Sequence, residues 1–391
     1  MSYTVERGEQ ITTLDQARNA QALSVMHVVG SLQSGGAERW VRELAPRINA
    51  RGLRTEIVTV YSPNLTSVEL ESLGCAVHHR RKRSGFDPMH SLWLSLLIGR
   101  RRPAIVHTHQ WAGKYVGRLA AAAASVPILV HTEHSPNPVE GLEKILTQLF
   151  WRRTAATIAF SQENAEVIDR REPVKHFEII RNGLVVSAVP SSEDRVEARR
   201  RLGIVGDTVA IGITASLQER KNHRLAFEAF SQIAEKPERP IRLLLFGEGP
   251  LRAQLELVAA QLGISERVNF YGFRSDVREL LPGLDVLLSV ALREMAPISV
   301  LEGMAAGLPI IAAPHQGTQD MVIPDLTGMI VDWNRDQIAN AIRRARDDKD
   351  WRQRCGLAGR VRVERNHDIE DIADQHVSLY ERLLRACDAR L

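Results

Sequence analysis

Short apolar runs with strand character alternate with helix-patterned stretches almost from end to end of this 391-residue sequence. That alternation leaves one broad architecture, a doubly wound parallel sheet with helices on both faces. In the first half the expected strands are 24–30, 55–61, 104–110, 128–134, 157–161 and 177–182. A second series starts at 209–217 and continues through 241–247, 268–273, 286–291, 310–314 and 329–332. Two series mean two sheets, so residues 23–190 and 207–368 are expected to be separate domains. The stretch between them, 191–206, rich in Ser and charge like the residues before it, reads as a linker. Residues 1–22 form a polar leader, and 369–391 is helical by pattern.

The densest local signal follows strand 286–291. Glu294 lies in a short loop, Pro297 is expected at the first helical position, and Ile298, Leu301, Met304 and Ala305 make an apolar helix face that Gly307 and Pro309 end. Glu302 lies one turn inside that helix. In parallel α/β sheets, ligands bind beyond the carboxyl ends of the strands, and the N–H groups of a helix start favour anions. Two carboxylates beside such a start suit a ligand that offers hydroxyls and phosphate together. The plain alternative is a solvated helix face with one charge complementing the helix dipole.

Other strand ends carry polar residues too. The first strand runs into Gly35-Gly36-Ala37-Glu38, where glycines let backbone approach a ligand closely, although the spacing is not that of a dinucleotide fingerprint. His107 and His109 alternate on one strand and share a face, and His131 and His134 follow at the end of the next. Such imidazoles suit either a metal or a set of hydrogen-bonded interior rings. In the second half, Ser216 to Asn222 includes Arg220 and Lys221; Phe246-Gly247-Glu248-Gly249-Pro250 and Tyr271-Gly272-Phe273-Arg274 end the two strands that follow.

In this order the segments resemble glycosyltransferase family 4, retaining transferases of the GT-B fold. Glu294 and Glu302 with the LEGMAAGLPII continuation are similar to its E-x7-E motif, Gly35 to Glu38 to its GG-x-E loop, and Thr132-Glu133-His134 to its T-x-H strand end. The resemblance implies two Rossmann-like domains facing a central cleft, with the C-terminal helix crossing back to the first. It implies transfer of a sugar from a nucleoside-diphosphate donor, expected to be a UDP-sugar, with no cofactor and no metal.

Carried over residue by residue, His134 lies by the sugar with His109 behind it as a further sugar or acceptor contact, and Glu294 meets the sugar hydroxyls. Glu302 meets the ribose. The diphosphate falls to Lys221 and to the backbone N–H groups of Ala296, Ile298 and Ser299 beside Pro297. Gly35, Gly36, Gly247, Phe273 and Arg274 complete the donor contacts. Ser216 departs from the pattern, standing where the family has an arginine, and Arg220 is the nearby cation able to replace it. Met295 and Ala296 also depart, from the common G-F pair.

Composition agrees with a soluble chain. Hydrophobic residues make up 44% and charged residues 25%, with a formal net charge of +4. No basic patch interleaved with aromatics signals nucleic acid. The three cysteines, Cys75, Cys355 and Cys387, are widely spaced, as in a reducing compartment. A cytoplasmic enzyme is expected, with an anionic membrane surface as a peripheral partner: His78 to Arg83 is a basic run, Arg100 to Arg102 another, and Trp93, Leu96, Leu97 and Ile98 lie between them. Sugar, lipid-linked and other glycoconjugate acceptors fit that setting, as does polysaccharide biosynthesis. Two other classes stay open at this point, a non-catalytic GT-B subunit and a histidine-metal hydrolase.

Overall fold

The computed structural model describes residues 24–32, 35–61, 67–83, 87–110, 113–134, 151–171, 174–234 and 239–389. The expected leader at 1–22 lies outside them. The chain divides into two compact units, the first running to Arg181 and resuming at Ile369, the second spanning Asn182–Asp368.

The first unit holds a seven-stranded parallel sheet: β1 (Ser24–Val29), β2 (Arg54–Thr59), β3 (Ala76–His79), β4 (Ile105–His109), β5 (Ile128–Thr132), β6 (Thr154–Ala159) and β7 (Phe177–Ile179). Their order is β3-β2-β1-β4-β5-β6-β7, so the winding reverses between β1 and β4. β1, β4 and β5 are buried along their whole length, as expected of strands covered on both faces. Met26, Val28, Val58, Val106 and Leu129 meet Leu94, Ile98 and Ala120 on one face. On the other, the Gly36–Ala50 helix packs against the helix Ile369–Asp388, whose Glu370 and Asp374 pair with Arg47 and Arg51.

The second unit holds β8 (Val209–Thr214), β9 (Ile241–Phe246), β10 (Val268–Gly272), β11 (Val286–Ser289), β12 (Ile310–Ala312) and β13 (Gly328–Ile330), ordered β10-β9-β8-β11-β12-β13 and all parallel. Its winding reverses between β8 and β11. The sheet lies between two apolar layers, one built on Phe227, Phe230, Ile342 and Trp351, the other on Leu280, Leu301, Met304 and Val363. The unit's first and last residues lie together: His367 Nδ1 is 2.7 Å from the Asn182 carbonyl, and Leu184 bridges to Asp368.

Three features differ from the sequence reading. Residues 191–206 are not a free linker, because Ser192–Arg201 is a helix with a capping box at Ser191 and Asp194. Its arginines are anchored within the second unit: Arg195 and Arg199 both pair with Asp285, which precedes β11. Secondly, β3 is an additional edge strand, pairing with β2 alone, in what reads in sequence as the start of a basic run. Thirdly, Pro297 is the N-cap with ψ of 108°, and the helix spans Ile298–Ala305, one residue later than expected. Cys75 and Cys355 are buried and Cys387 is half-buried.

Candidate active site

In the second unit a pocket opens at the carboxyl ends of β8 and β11, where the winding reverses, and is lined by Thr214, Ala215, Lys221, Ser289, Pro297 and Ser299. Several glycines fix the loops around it. A Cβ on Gly247 would lie 2.0 Å from the Ala215 carbonyl, and one on Gly249 would lie 2.4 Å from that of Leu217. The loops after β8 and β9 therefore touch backbone to backbone, and Gly247 N–H donates to the Gly272 carbonyl at the end of β10, 2.8 Å away. Ser216 sits in the first of these loops, its carbonyl accepting from Gln218 N–H. It brings no charge.

The cations come from the turn that follows, Glu219–Lys221. Glu294 Oε1 receives the Arg220 guanidinium at 2.5 Å and the Lys221 ammonium as well. The Lys221 side chain is 13% exposed and that of Arg220 37%. Burial lowers the Lys221 pKa, and the Glu294 carboxylate opposes that shift. His315 and His223 are buried nearby, each pushed down to about 4 chiefly by burial, so they are neutral at pH 7 and add no charge. Two cations thus face one carboxylate.

The loop bearing Glu294 is held from several sides. Asn182 Nδ2 donates to the Ala296 carbonyl at 2.9 Å and Gly317 N–H to that of Glu294 at 3.1 Å. Gly317 is needed there, since a Cβ would come within 2.7 Å of the Met295 carbonyl oxygen. Beyond Pro297, the N–H groups of Ile298 and Ser299 lie in the first helical turn, where no intrahelical acceptor exists. Glu302 is only 5% exposed and takes Arg278 Nε at 3.0 Å. Phe273 is open to solvent, whereas Arg274 is committed to Asp276 through bonds of 2.7 and 2.6 Å.

Four histidines on the strands of the first unit are interior. His27, His107, His109 and His131 are fully buried, on β1, β4 and β5. His107 has both ring nitrogens engaged, by Tyr380 at 2.6 Å and Thr132 at 2.7 Å. His109 lies between His27, at 2.9 Å, and His134, at 3.4 Å. The side-chain nitrogens of His27, His107 and His109 are within 4.8 Å of one another, close enough for a metal, yet those of His107 and His109 already serve hydrogen bonds. Glu133 pairs with the buried Lys114 at 2.9 Å and lies 3.6 Å from His131 Nε2. Gly35 caps the Gly36–Ala50 helix. Burial raises the pKa of Glu38 in its first turn, and a hydrogen bond to Gln110 opposes that shift.

On another face of this unit, the helix Pro88–Arg101 buries His90, Leu94 and Ile98. It turns Met89, Leu92 and Leu96 outward, at 58%, 51% and 52% exposure. Arg80, Arg81, Arg83, Arg100 and Arg102 are exposed before, on and after it. Among the described residues, no helix is long and apolar enough to cross a membrane.

Two family models match this chain. Glycosyltransferase Family 4 matches residues 34–187, and Glycosyl transferases group 1 matches residues 194–362. The chain belongs to glycosyltransferase family 4. It is a GT-B glycosyltransferase. Among its relatives is the UDP-Gal:alpha-D-GlcNAc-diphosphoundecaprenol alpha-1,3-galactosyltransferase of Escherichia coli, 26% identical over 267 residues that cover 65% of this chain and 69% of the relative. Another is the 2-deoxystreptamine glucosyltransferase of Streptomyces kanamyceticus, 26% identical over 308 residues, 69% of this chain and 79% of that one. In fold the family 4 chain matches Anabaena HepE, solved with UDP-glucose, with a TM-score of 0.80 and 19% identity over 92% of this chain and 99% of that one. It also matches sucrose-phosphate synthase from Thermosynechococcus elongatus, with a TM-score of 0.82 and 22% identity over 93% and 99%.

The structure lines one pocket with Lys221, Pro297 and Ser299, joins Glu294 to Lys221 and Arg220, and puts His134 beside His109. It adds His27, Trp40, His223 and Arg278, none of which stood out in sequence. His27 is a single polar residue inside an apolar strand, and the other three reach their places only through the fold.

Proposed function

We propose that this family 4 enzyme moves a sugar from a nucleoside-diphosphate donor to an acceptor hydroxyl with retention at the anomeric carbon. The observation that carries the reading is the surplus of positive charge at the β8–β11 switch point: Arg220 and Lys221 against Glu294, beside the start of the Ile298–Ala305 helix. A diphosphate leaving group is a ligand with the charge to balance it. In this reading Lys221 and Arg220 take the diphosphate with the N–H groups of Ile298 and Ser299. Glu294 then turns its carboxylate to the sugar hydroxyls, Glu302 accepts from the ribose, and His134 lies by the sugar. Arg220 supplies the charge that Ser216 lacks, and no metal is assigned a step.

A UDP-sugar is the proposed donor, and the E. coli relative, whose name carries UDP-Gal and a diphosphoundecaprenol acceptor, supports that choice together with a lipid-linked or other glycoconjugate acceptor. The exposed Met89, Leu92 and Leu96 with their surrounding arginines are proposed to rest on the anionic membrane face where such an acceptor lies. Thermal-shift screening of the purified enzyme against UDP-, GDP- and ADP-sugars tests the donor, since a bound donor stabilises the folded state by mass action. A UDP-sugar should give the largest shift, and no shift with any of them would remove the reading.

A further inference from the structure

β1 and β4 pair with His27 opposite His107, and the rings of His27, His107 and His109 lie on one face of the sheet. From there a line of imidazoles leads outward. His27 Nδ1 is 2.9 Å from His109 Nε2, and His109 Nδ1 is 3.4 Å from His134 Nε2. The planes of the His27 and His109 rings are only 17° apart, with centroids 5.2 Å apart, and Trp40 sits edge-on against both His109 and His134. At the inner end, His27 Nε2 is buried without a partner among the described residues. At the outer end His134 is half-buried, and Nδ1 is the nitrogen that the chain of imidazoles leaves free.

Burial pushes His27 down to about 3 and His134 to about 4, and holds His109 well below its ordinary value. Near neutral pH each ring therefore carries one proton, and two hydrogen bonds among three such rings permit only two arrangements. In one, His27 is protonated at Nε2, His109 Nε2–H donates to His27, His134 Nε2–H donates to His109, and His134 Nδ1 is bare. In the other, His27 Nδ1–H donates to His109, His109 Nδ1–H donates to His134 Nε2, and His134 keeps its proton on Nδ1. The first strands a buried N–H at His27 Nε2, and the second leaves only an unused lone pair there. Buried N–H groups without acceptors are the rarer defect.

We propose that the buried chain His27–His109–His134 fixes His134 as its Nδ1–H tautomer, so that His27 and His109 are positioning residues for a ring that donates a hydrogen bond to the transferred sugar. The inference rests on the reading that His134 meets the sugar, but the tautomer itself is measurable without substrate. His107 stands outside the chain, satisfied by Tyr380 and Thr132.

Two-bond 1H–15N correlation spectra of the full-length protein labelled at histidine nitrogen, at pH 7.5, report which nitrogen of each ring is protonated. His134, assigned by loss of its signals in His134→Gln, is expected as Nδ1–H. His27→Asp presents an acceptor to His109 Nε2 in place of the inner N–H donor and should shift His134 toward Nε2–H. It should also lower kcat roughly tenfold, the loss of one ordinary hydrogen bond, with donor KM little changed. His27→Asn places an amide nitrogen near the position of Nδ1 and should keep both the tautomer and the activity.

A wild-type His134 protonated at Nε2 overturns the proposal, as does His27→Asn behaving like His27→Asp. A stoichiometric zinc or copper ion in the purified protein also overturns it, because coordination by His109 would break the chain. If His27→Asp changes the tautomer and leaves kcat intact, the positioning role falls and with it the placement of His134 by the sugar. The donor reading is scored separately by the thermal-shift screen.

Discussion

Taking the protein from pH 7.5 to pH 5.5 should remove most of the stability of the first unit. Burial holds His27 and His131 at about 3, His90, His134 and His376 at about 4, and His107 and His109 well below the ordinary value of 6.5. The unfolded chain titrates these same rings near 6.5. Between the folded and unfolded values the unfolded state binds more protons, so stability is complete above about pH 6.5 and falls as the pH drops below it. Over this interval each ring that stays neutral when folded costs about 1.4 kcal/mol, and the seven together roughly 10 kcal/mol. That is comparable with the whole stability of an ordinary domain, about 5–15 kcal/mol. In the second unit His223 and His315 contribute only about 3 kcal/mol by the same reasoning. Urea titrations at the two pH values, with hydrogen exchange read by mass spectrometry to assign each transition to a unit, measure the difference. A first-unit midpoint that moves no further than that of the second would refute the reasoning.

Lys221→Ala should lower kcat by about 10²–10³, the usual effect of removing one preorganised charge partner from a leaving group, with Ser216→Arg tolerated or tightening donor binding; steady-state kinetics near wild type for Lys221→Ala would exclude it from the site. Glu302→Ala should weaken nucleoside-diphosphate binding by about 1–3 kcal/mol in calorimetry, and an unchanged affinity would take Glu302 away from the ribose. Replacing Arg80, Arg81 and Arg83 together by Ser should reduce recovery with anionic liposomes at low salt, whereas equal co-sedimentation would show a merely solvated face. Gly247→Ala puts a Cβ onto the Ala215 carbonyl, so a clear fall in melting temperature is expected, and an unchanged one would mean that the β8 and β9 loops separate at little cost.

Much of the architecture was legible because strand and helix periodicities are local. All twelve expected strands occur in place, including short ones such as Ile310–Ala312. β3 was missed because Ala76–His79 is a half-buried edge strand whose histidines contact polar groups, with His79 on Thr59 and His78 on Glu56. The Ser192–Arg201 helix was missed because its charge reads as solvent-facing, and only the fold shows Asp285 waiting for two of its arginines. At the site, Glu294, Glu302 and Lys221 carried spacing signals. Arg278 and His27 carried none, because each takes its place by contact with residues distant in sequence.

The helix Ile369–Asp388 belongs to the first unit, yet the ribosome makes it after the whole of the second. His376 and Tyr380 lie inside the histidine core, and Tyr380 satisfies His107. During synthesis, then, the first unit waits with its imidazoles uncovered while 182–368 emerges and folds, and it can close only when the final helix arrives. Nascent chains stalled before Ile369 should be open to proteases in the first unit while the second is already resistant. Vectorial synthesis thus reverses the order of completion: the part made first is finished last.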